Sequence, residues 1–432
     1  MIRRPRLSHA LRAPTPKIRT QPRKRIVFIA ALLALTTSPA TAQMSLKQAV
    51  LSAVERDANV TALRTQVASR SIDIQSARDG YYPNISLSGD SSTTSTDGPG
   101  ITLTVTQVLY DWGLIRNTIS AASQVRVQAV SDLKMAVEDM TLQVAEYYLD
   151  TEAIDEKIRS TRTYYAFTQR IAKQAQDRAS AGLSDIGEVA RAQLEIARAN
   201  DQLAQLVANR SIALSQIGFL TGTEVTQLAP PPALNFDRHY ANPAKIRSAV
   251  RIAPDYIAAR ASTAEAAAQI DIARASRYPT INLQAQARAD LNGGATKTAL
   301  GLSAGVDLSS SGLGKRKIQS AQLNLQAAEA TLVSTERQLT NTATSALQQL
   351  QILRTSETSR RAQLNEAANV LDAYEKQFIG GQRELLDLLT TGRDLYDAEI
   401  DQIETSEERK RTEYTAARDL GVLGTLIFTS SN

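Results

Sequence analysis

Between Ile101 and Gly113 apolar and polar positions alternate. Ile101, Leu103, Val105 and Leu109 fall on one face of an extended chain, and Thr102, Thr104 and Thr106 fall on the other. A two-residue period rich in β-branched side chains predicts a half-buried strand. The same alternation precedes it, with Ile85, Leu87 and Gly89 against Asn84, Ser86, Ser88 and Asp90. The polar stretch Ser91 to Gly100 between the two runs predicts a β-hairpin over 84–109. The period then changes abruptly. Gly113 and Gly182 enclose 68 residues without one Gly or Pro. As a single helix rising about 1.5 Å per residue they would run about 100 Å, far beyond the ~30 Å core of a bilayer. Val130, Leu133, Val137, Met140, Val144, Tyr147, Ile154 and Ile158 recur at spacings of three and four, with Thr151 filling the gap before Ile154. That is coiled-coil packing. Farther along, Thr161, Tyr165, Thr168, Ala172, Ala175 and Ala179 make these positions small or polar, which suits close helix contacts.

Upstream, one alanine-rich helix is predicted from about Ser45, its N-cap, to Asp79, and Tyr81-Tyr82-Pro83 ends it. Downstream, Ala181 to Asp185 is a turn, with a hairpin tip near 182–188. A second helix returns from there to about Leu220, completing a helical hairpin over 114–220. A linker, 223–243, contains Pro230-Pro231-Pro232. The pattern then repeats. Ala77-Arg78, Tyr82-Pro83, Ile85 and Leu87 match Ala273-Arg274, Tyr278-Pro279, Ile281 and Leu283 at a constant offset. A second β-hairpin is predicted over 281–308. Ile281, Leu283, Ala285 and Ala287 form one apolar face, Leu300, Leu302, Ala304, Val306 and Leu308 the other, and Asn292-Gly293-Gly294 turns between them. Gly314 and Gly380 enclose 65 further residues free of Gly and Pro, with Leu364, Ala367, Leu371, Tyr374 and Phe378 at coiled-coil spacing. Gly380-Gly381 breaks the helix, and Leu385 to Leu420 returns, giving a helical hairpin over 315–420 with its tip near 380–387. The chain is therefore mainly α with a small β part, and it is an internal two-fold repeat: 43–222 and 244–432.

Charge changes the picture only at the N-terminus. Nine of the 49 basic residues and none of the 44 acids lie in 1–42, so the remainder carries 40 against 44, a net of −4. The basic character belongs to that leader, and a nucleic-acid partner is not expected. The leader has a basic region, an apolar run from Ile26 to Leu35 and the small residues Ala40-Thr41-Ala42, the pattern of a cleaved signal peptide. A membrane anchor is the other reading, but a run of about ten residues is too short to span a bilayer. The chain has no Cys and two His, one of them in the leader. His239 alone cannot build a metal centre and reads as a solvated residue. No catalytic residue, cofactor or metal is expected, because no nucleophile–base pair, ligand cluster or phosphate loop appears. Gly312-Leu313-Gly314-Lys315 lacks the spacing of a phosphate loop and reads as a strand-to-helix turn.

Four strands of about nine residues are long enough to cross a bilayer when tilted. Their edges could not stay open there, since each unpaired backbone group costs several kcal/mol in lipid. Four strands are also too few to close a barrel, which needs about eight. Several chains would have to share one. Two chains would give about eight strands and three about twelve, and only the wider barrel leaves a water-filled interior.

In this setting the residues resemble a known family, the TolC-like outer membrane factors, exit ducts of tripartite efflux pumps and type I secretion systems. The resemblance covers essentially all of 43–432. It rests on the duplicated layout, on Val108-Leu109-Tyr110-Asp111-Trp112-Gly113, on the two hairpin tips and on Leu420-Gly421-Val422-Leu423-Gly424-Thr425-Leu426. It implies a homotrimer whose four transmembrane strands per chain form a 12-stranded β-barrel in outer membrane lipid, continuous with an α-helical barrel across the periplasm. The expected partners are a periplasmic adaptor protein and an inner-membrane transporter. Gating at the hairpin tips is implied too. Arg383 would be the cationic gate residue and Asp387 part of an acidic ring. Glu188, at the equivalent place in the first tip, would be the acidic partner of Arg383, with ion pairs between neighbouring tips holding the pore shut. Thr390 stands where some members carry a second acid. The alternative is that these three charges are solvated groups at helix starts. Tyr110 and Trp112 read either as aromatic anchors at headgroup depth or as residues buried at the strand–helix junction. The segment Tyr374 to Leu389 resembles the branch that exports adhesins and proteases, so the resemblance implies type I protein secretion. Drug efflux is the alternative, and a periplasmic coiled-coil scaffold is a remote one.

Overall fold

The structure, a computed structural model, describes residues 43–91, 98–183, 185–305 and 314–430. The expected signal peptide, Val306, Leu308, Gly312 and Leu313 lie outside the described residues. At the first helix the structure corrects the sequence reading. Two helices form, α1 (Leu46–Arg56) and α2 (Ala58–Asp79), where one was expected. Ser45 does cap α1, in a capping box with Gln48. The break is at Asp57, whose carboxylate accepts the Val60 N–H at 2.7 Å while its own backbone turns extended. A short acidic side chain competes for helix N–H groups and so starts a new helix without Gly or Pro.

The four strands, β1 (Asn84–Asp90), β2 (Gly100–Tyr110), β3 (Thr280–Asp290) and β4 (Lys297–Gly305), form one antiparallel sheet in the order β1-β2-β3-β4. Leu87 stands opposite Leu103, Leu103 opposite Ala287, and Leu283 opposite Leu302, so the aliphatic residues share one face. Among the described residues no element covers that face. Leu300 is 74% and Leu302 72% exposed, and Ile85, Leu87, Ile101 and Leu103 are exposed as well. β2 is half-buried over most of its length, but the aliphatic positions Ile101, Leu103 and Leu109 stay exposed because no second layer lies over them among the described residues. A bulge between Val108 and Tyr110 makes Leu109 the extra residue and sets Tyr110, not Leu109, opposite Ile281. On the polar face Arg288 reaches from β3 across β2 to the Asp90 carboxylate at 2.8 Å. A Cβ on Gly100 would lie 3.0 Å from that guanidinium, so a side chain there would crowd it.

Helix α3 (Leu114–Ser180) is unbroken for 67 residues, and α8 (Lys315–Ile379) for 65. α4 (Ile186–Thr221) and α9 (Leu385–Asp419) return beside them, and α7 (Pro254–Ala275) repeats α2 in the second half. α3 packs against α2, α4, α7 and α9. Contact on more than one side widens its buried stripe. Val144 and Ile158 are buried as expected and Leu133, Val137, Met140, Tyr147 and Ile154 half-buried, but Val130 is 41% exposed, and Tyr148 and Leu149 enter the core instead. On α8, Leu364, Ala367, Leu371 and Tyr374 are half-buried and only Phe378 is fully so. Ion pairs join α3 to α9: Asp139–Arg418, Asp150–Arg411, Glu152–Lys410 and Lys157–Glu404. Each half-exposed pair contributes little, about 0.2–1 kcal/mol, but four in series fix one antiparallel register.

The stretch 223–243 does more than connect. Leu228 bridges Met44 in strand fashion, Tyr414 donates to the Pro232 carbonyl at 2.7 Å, and Leu234 and Phe236 are buried in the main core. Phe236 opens a short helix, α5 (Phe236–Tyr240); α6 (Pro243–Ile252) follows, and His239 is exposed. The last helix, α10 (Leu423–Thr429), buries Leu423 and Ile427 in the same core. Its Gly424 N–H donates to the fully buried Glu138 carboxylate at 3.0 Å, and Lys134 neutralises that carboxylate. Gly421 turns the chain into α10 with φ +67°, and a Cβ there would lie 2.3 Å from Pro254 Cδ. Gly421→Ala should therefore destabilise the fold by about 2 kcal/mol or more, from the left-handed backbone and the clash together. Thermal unfolding followed by circular dichroism tests this, and an unchanged midpoint would refute it.

Candidate functional site

Two places gather the residues singled out in the sequence: the exit of β2 and the far ends of the helical hairpins. At the exit, Trp112 (φ +57°) and Gly113 (φ +86°) are successive left-handed residues that turn the strand into α3. Asp111 holds the turn, accepting the Gly113 N–H at 3.0 Å and the Ile115 N–H at 2.6 Å. A left-handed tryptophan costs about 1–2 kcal/mol. Its indole N–H donates to the Pro279 carbonyl at 3.0 Å, and its ring lies 4.7 Å from Tyr278 and 4.9 Å from Tyr110. Gln107, a polar residue on the aliphatic face, is satisfied by donating to the Tyr81 and Val108 carbonyls. The exit of β2 thus bonds to both helix-to-strand turns, Tyr81 of the first half and Pro279 of the second. Tyr110 and Trp112 are pinned at the junction yet remain about half exposed, beside exposed Tyr81, Tyr82 and Tyr278. Tyr278 completes a stack of rings with Tyr110 and Trp112 that sequence reasoning did not assemble, although the Tyr-Pro turn carried the signal.

The two hairpin ends are built alike. In the first, Gly182 takes φ +70° and the Leu183 N–H donates to the Arg178 carbonyl at 2.9 Å. In the second, Gly381 takes φ +71° and the Gln382 N–H donates to the Gln377 carbonyl at 2.9 Å. Each is a Schellman turn, with glycine where a left-handed residue must close the helix. Asp185 and Glu384 then stand as equivalent N-caps, and Glu188 and Asp387 lie in equivalent first turns. The acids there complement the positive helix ends.

The side chains diverge where the backbones agree. Arg383 donates to Asp387 at 3.2 Å and to Gln377 at 2.9 Å, and its guanidinium lies 4.1 Å from the centre of the Tyr374 ring. The pair that forms within the chain is therefore Arg383–Asp387. Glu188 is half-buried and is not among the partners of Arg383. Behind these charges an apolar cluster joins both hairpins, with Phe167, Ile171 and Ala175 on α3, Val189 on α4, Phe378 on α8 and Leu388 on α9. Gly392 admits the Phe167 ring, since a Cβ there would sit 2.2 Å from it.

A polar hub missed in the sequence lies just above. The Glu195 side chain is only 12% exposed, yet it is bonded to Arg198 at 2.7 Å, to the Tyr164 hydroxyl at 3.3 Å and to Arg393 at 3.7 Å. It links α3, α4 and α9. Burial, and then the neighbouring Glu195, push the Tyr164 hydroxyl well above its ordinary pKa. Burial also raises Asp397, and Arg393 only partly opposes this. Glu195 is one charge among many on a helix, and only contact with two other helices distinguishes it.

Comparison with known proteins converges on one family. The model of the outer membrane efflux protein family matches residues 49–223 and again 246–421, one segment in each half of the chain. Protein CyaE of Bordetella pertussis is 28% identical over 233 residues, covering 50% of this chain and 49% of that protein. This chain thus spans about half the length of CyaE in that match. Outer membrane protein TolC of Escherichia coli is 25% identical over 358 residues, covering 75% and 71% of the two chains. Among solved structures, that of CusC, described for its folding and transmembrane channel formation, superposes with a TM-score of 0.76. It is 14% identical, and the superposition covers 88% of this chain and 92% of that one.

Proposed function

The chain belongs to the outer membrane efflux protein family, and from that premise we propose that it is the exit duct of a tripartite export system, carrying protein in type I secretion. It resides in the outer membrane and extends into the periplasm. One observation carries the duct reading: among the described residues, a four-stranded sheet whose outer strands pair on one side only and whose aliphatic face is bare, running on into helices of about 100 Å. Lipid would cover the aliphatic face, and the threonine and glutamine face would line water. Edges β1 and β4 would pair with those of neighbouring copies, since an open edge is not tolerated in lipid. Three copies supply about twelve strands, enough for a water-filled barrel. The long helices of the three copies would continue the wall across the periplasm to an adaptor and an inner-membrane transporter.

At the far end three copies would bring Glu188, Arg383 and Asp387 around one axis. The Tyr374 ring and Gln377 hold Arg383 in place, and Asp387 partly neutralises it, so a folded-in cation can stand in a narrow opening beside acids. Tyr110 and Trp112 would lie at headgroup depth, where rings with one polar edge are favoured. Support for secretion comes from the resemblance of Tyr374–Leu389 to the branch that exports adhesins and proteases. Efflux of small molecules is the second reading, favoured by the description of the matching family.

Arg383→Ser should raise single-channel conductance in planar bilayers, and unchanged conductance would mean that the tip charges are merely solvated. Trp112 is the only tryptophan of the chain. Its fluorescence should be quenched most by lipids brominated near the glycerol, and no quenching by any brominated lipid would refute the interfacial placement. Deleting the gene should abolish secretion of a specific protein with little change in drug sensitivity; the reverse outcome selects efflux.

A further inference from the structure

We propose that Arg178 is the latch that ties the first hairpin tip to the second. Its consequence for the pore rests on the gate reading above. Arg178 and Gln377 are structural equivalents, because each supplies the carbonyl that closes its own left-handed turn. Gln377 then serves its own tip by accepting the Arg383 Nε–H at 2.9 Å. Arg178 does the opposite and leaves its hairpin. Its guanidinium lies 4.9 Å from the centre of the Phe378 ring, and its Nη1 donates to the Phe378 carbonyl at 3.5 Å.

Phe378 is buried in the apolar cluster at the C-terminal end of α8. The cation therefore meets a ring face and the negative end of a helix. No carboxylate pairs with Arg178 among the described residues, and its Nε–H is buried without an acceptor. A strong permanent tie would use a carboxylate, as Arg170 does with Glu375 higher on the same two helices. Arg178 instead makes a contact that is directional but incompletely satisfied. Such a contact lies at the last turn before the tip, where the hairpins must part if the entrance widens. Releasing it lets the unpaired donor reach water, which lowers the cost of parting. Repeat symmetry makes the difference visible: one position in two equivalent turns, one side chain turned inward and the other handed across.

The chain has no Cys, so Leu183→Cys and Ile379→Cys, at two exposed positions of the tips, can carry spin labels in the full-length protein. Assemblies diluted with unlabelled chain give the distance within one copy by double electron–electron resonance. Arg178→Ala and Phe378→Leu should each shift the distribution to longer, broader distances. Arg178→Lys, which keeps the charge without the planar face, should fall between. The open fraction should rise about two- to thirtyfold, the range for one cation–π contact, and conductance should rise with it. Unchanged distances in both Arg178→Ala and Phe378→Leu would overturn the latch, even if Arg383→Ser opens the pore. Longer distances without added conductance would keep the latch and overturn the gate.

Discussion

The pairing of backbone groups at the two edges of the sheet governs everything else in this molecule. Among the described residues four antiparallel strands bury no aliphatic face against other elements, and β1 and β4 are each paired to a strand on one side only. In water such a sheet is an aggregation hazard; in lipid it is forbidden unless the edges close on further strands. In the proposed assembly, closing the edges would set the number of copies, the copies would set the width of the barrel, and the width would call for many helices to continue the wall below. The long helices follow the same logic. Their buried positions are Ala and Thr more often than Leu and Phe, so neighbouring backbones approach closely.

The junction shows how two periodicities are joined without losing hydrogen bonds. Asp111 satisfies the first N–H groups of α3, Trp112 and Gly113 take the left-handed conformations, and Trp112 and Gln107 bond the exit to the turns of both halves. Each polar group that the change of direction would orphan finds a partner nearby. The indole then does two jobs, offsetting its own backbone strain and presenting a half-exposed ring beside the tyrosines.

What could be read in the sequence was what is periodic along one dimension. The Ile/Thr alternation of β2, the spans free of Gly and Pro that became α3 and α8, and the glycines that close both tips all needed only spacing. What escaped depends on contacts between distant residues or on the choices of single side chains. Asp57 breaks a helix by capping, with no breaker residue to announce it. The bulge at Leu109 inverts the face of Tyr110 and leaves the composition unchanged. Leu234 and Phe236 looked like part of a linker because the prolines beside them did, yet they fill the core. At the candidate gate, equal spacing put Glu188 and Asp387 in equivalent turns, but distance decided that Arg383 bonds the acid in the first turn of the helix that follows it. Glu195 and Arg178 carried no one-dimensional signal at all.

The tips also show which forces hold the two hairpin ends together. Arg383 and Asp387 are each more than a third exposed, and a pair of that kind contributes about 0.2–1 kcal/mol, too little to close a pore by itself. The apolar cluster behind it is the larger reservoir, since burying one leucine or phenylalanine is worth about 1.5–3 kcal/mol. That cluster is shared between the hairpins, with Phe167 seated against Gly392 and Phe378 under Arg178. The charges at the surface therefore select which arrangement of the tips is preferred, while the buried rings supply most of the energy that must be overcome to leave it. An arrangement divided this way can be held firmly by packing and still shift with small changes in a few polar contacts.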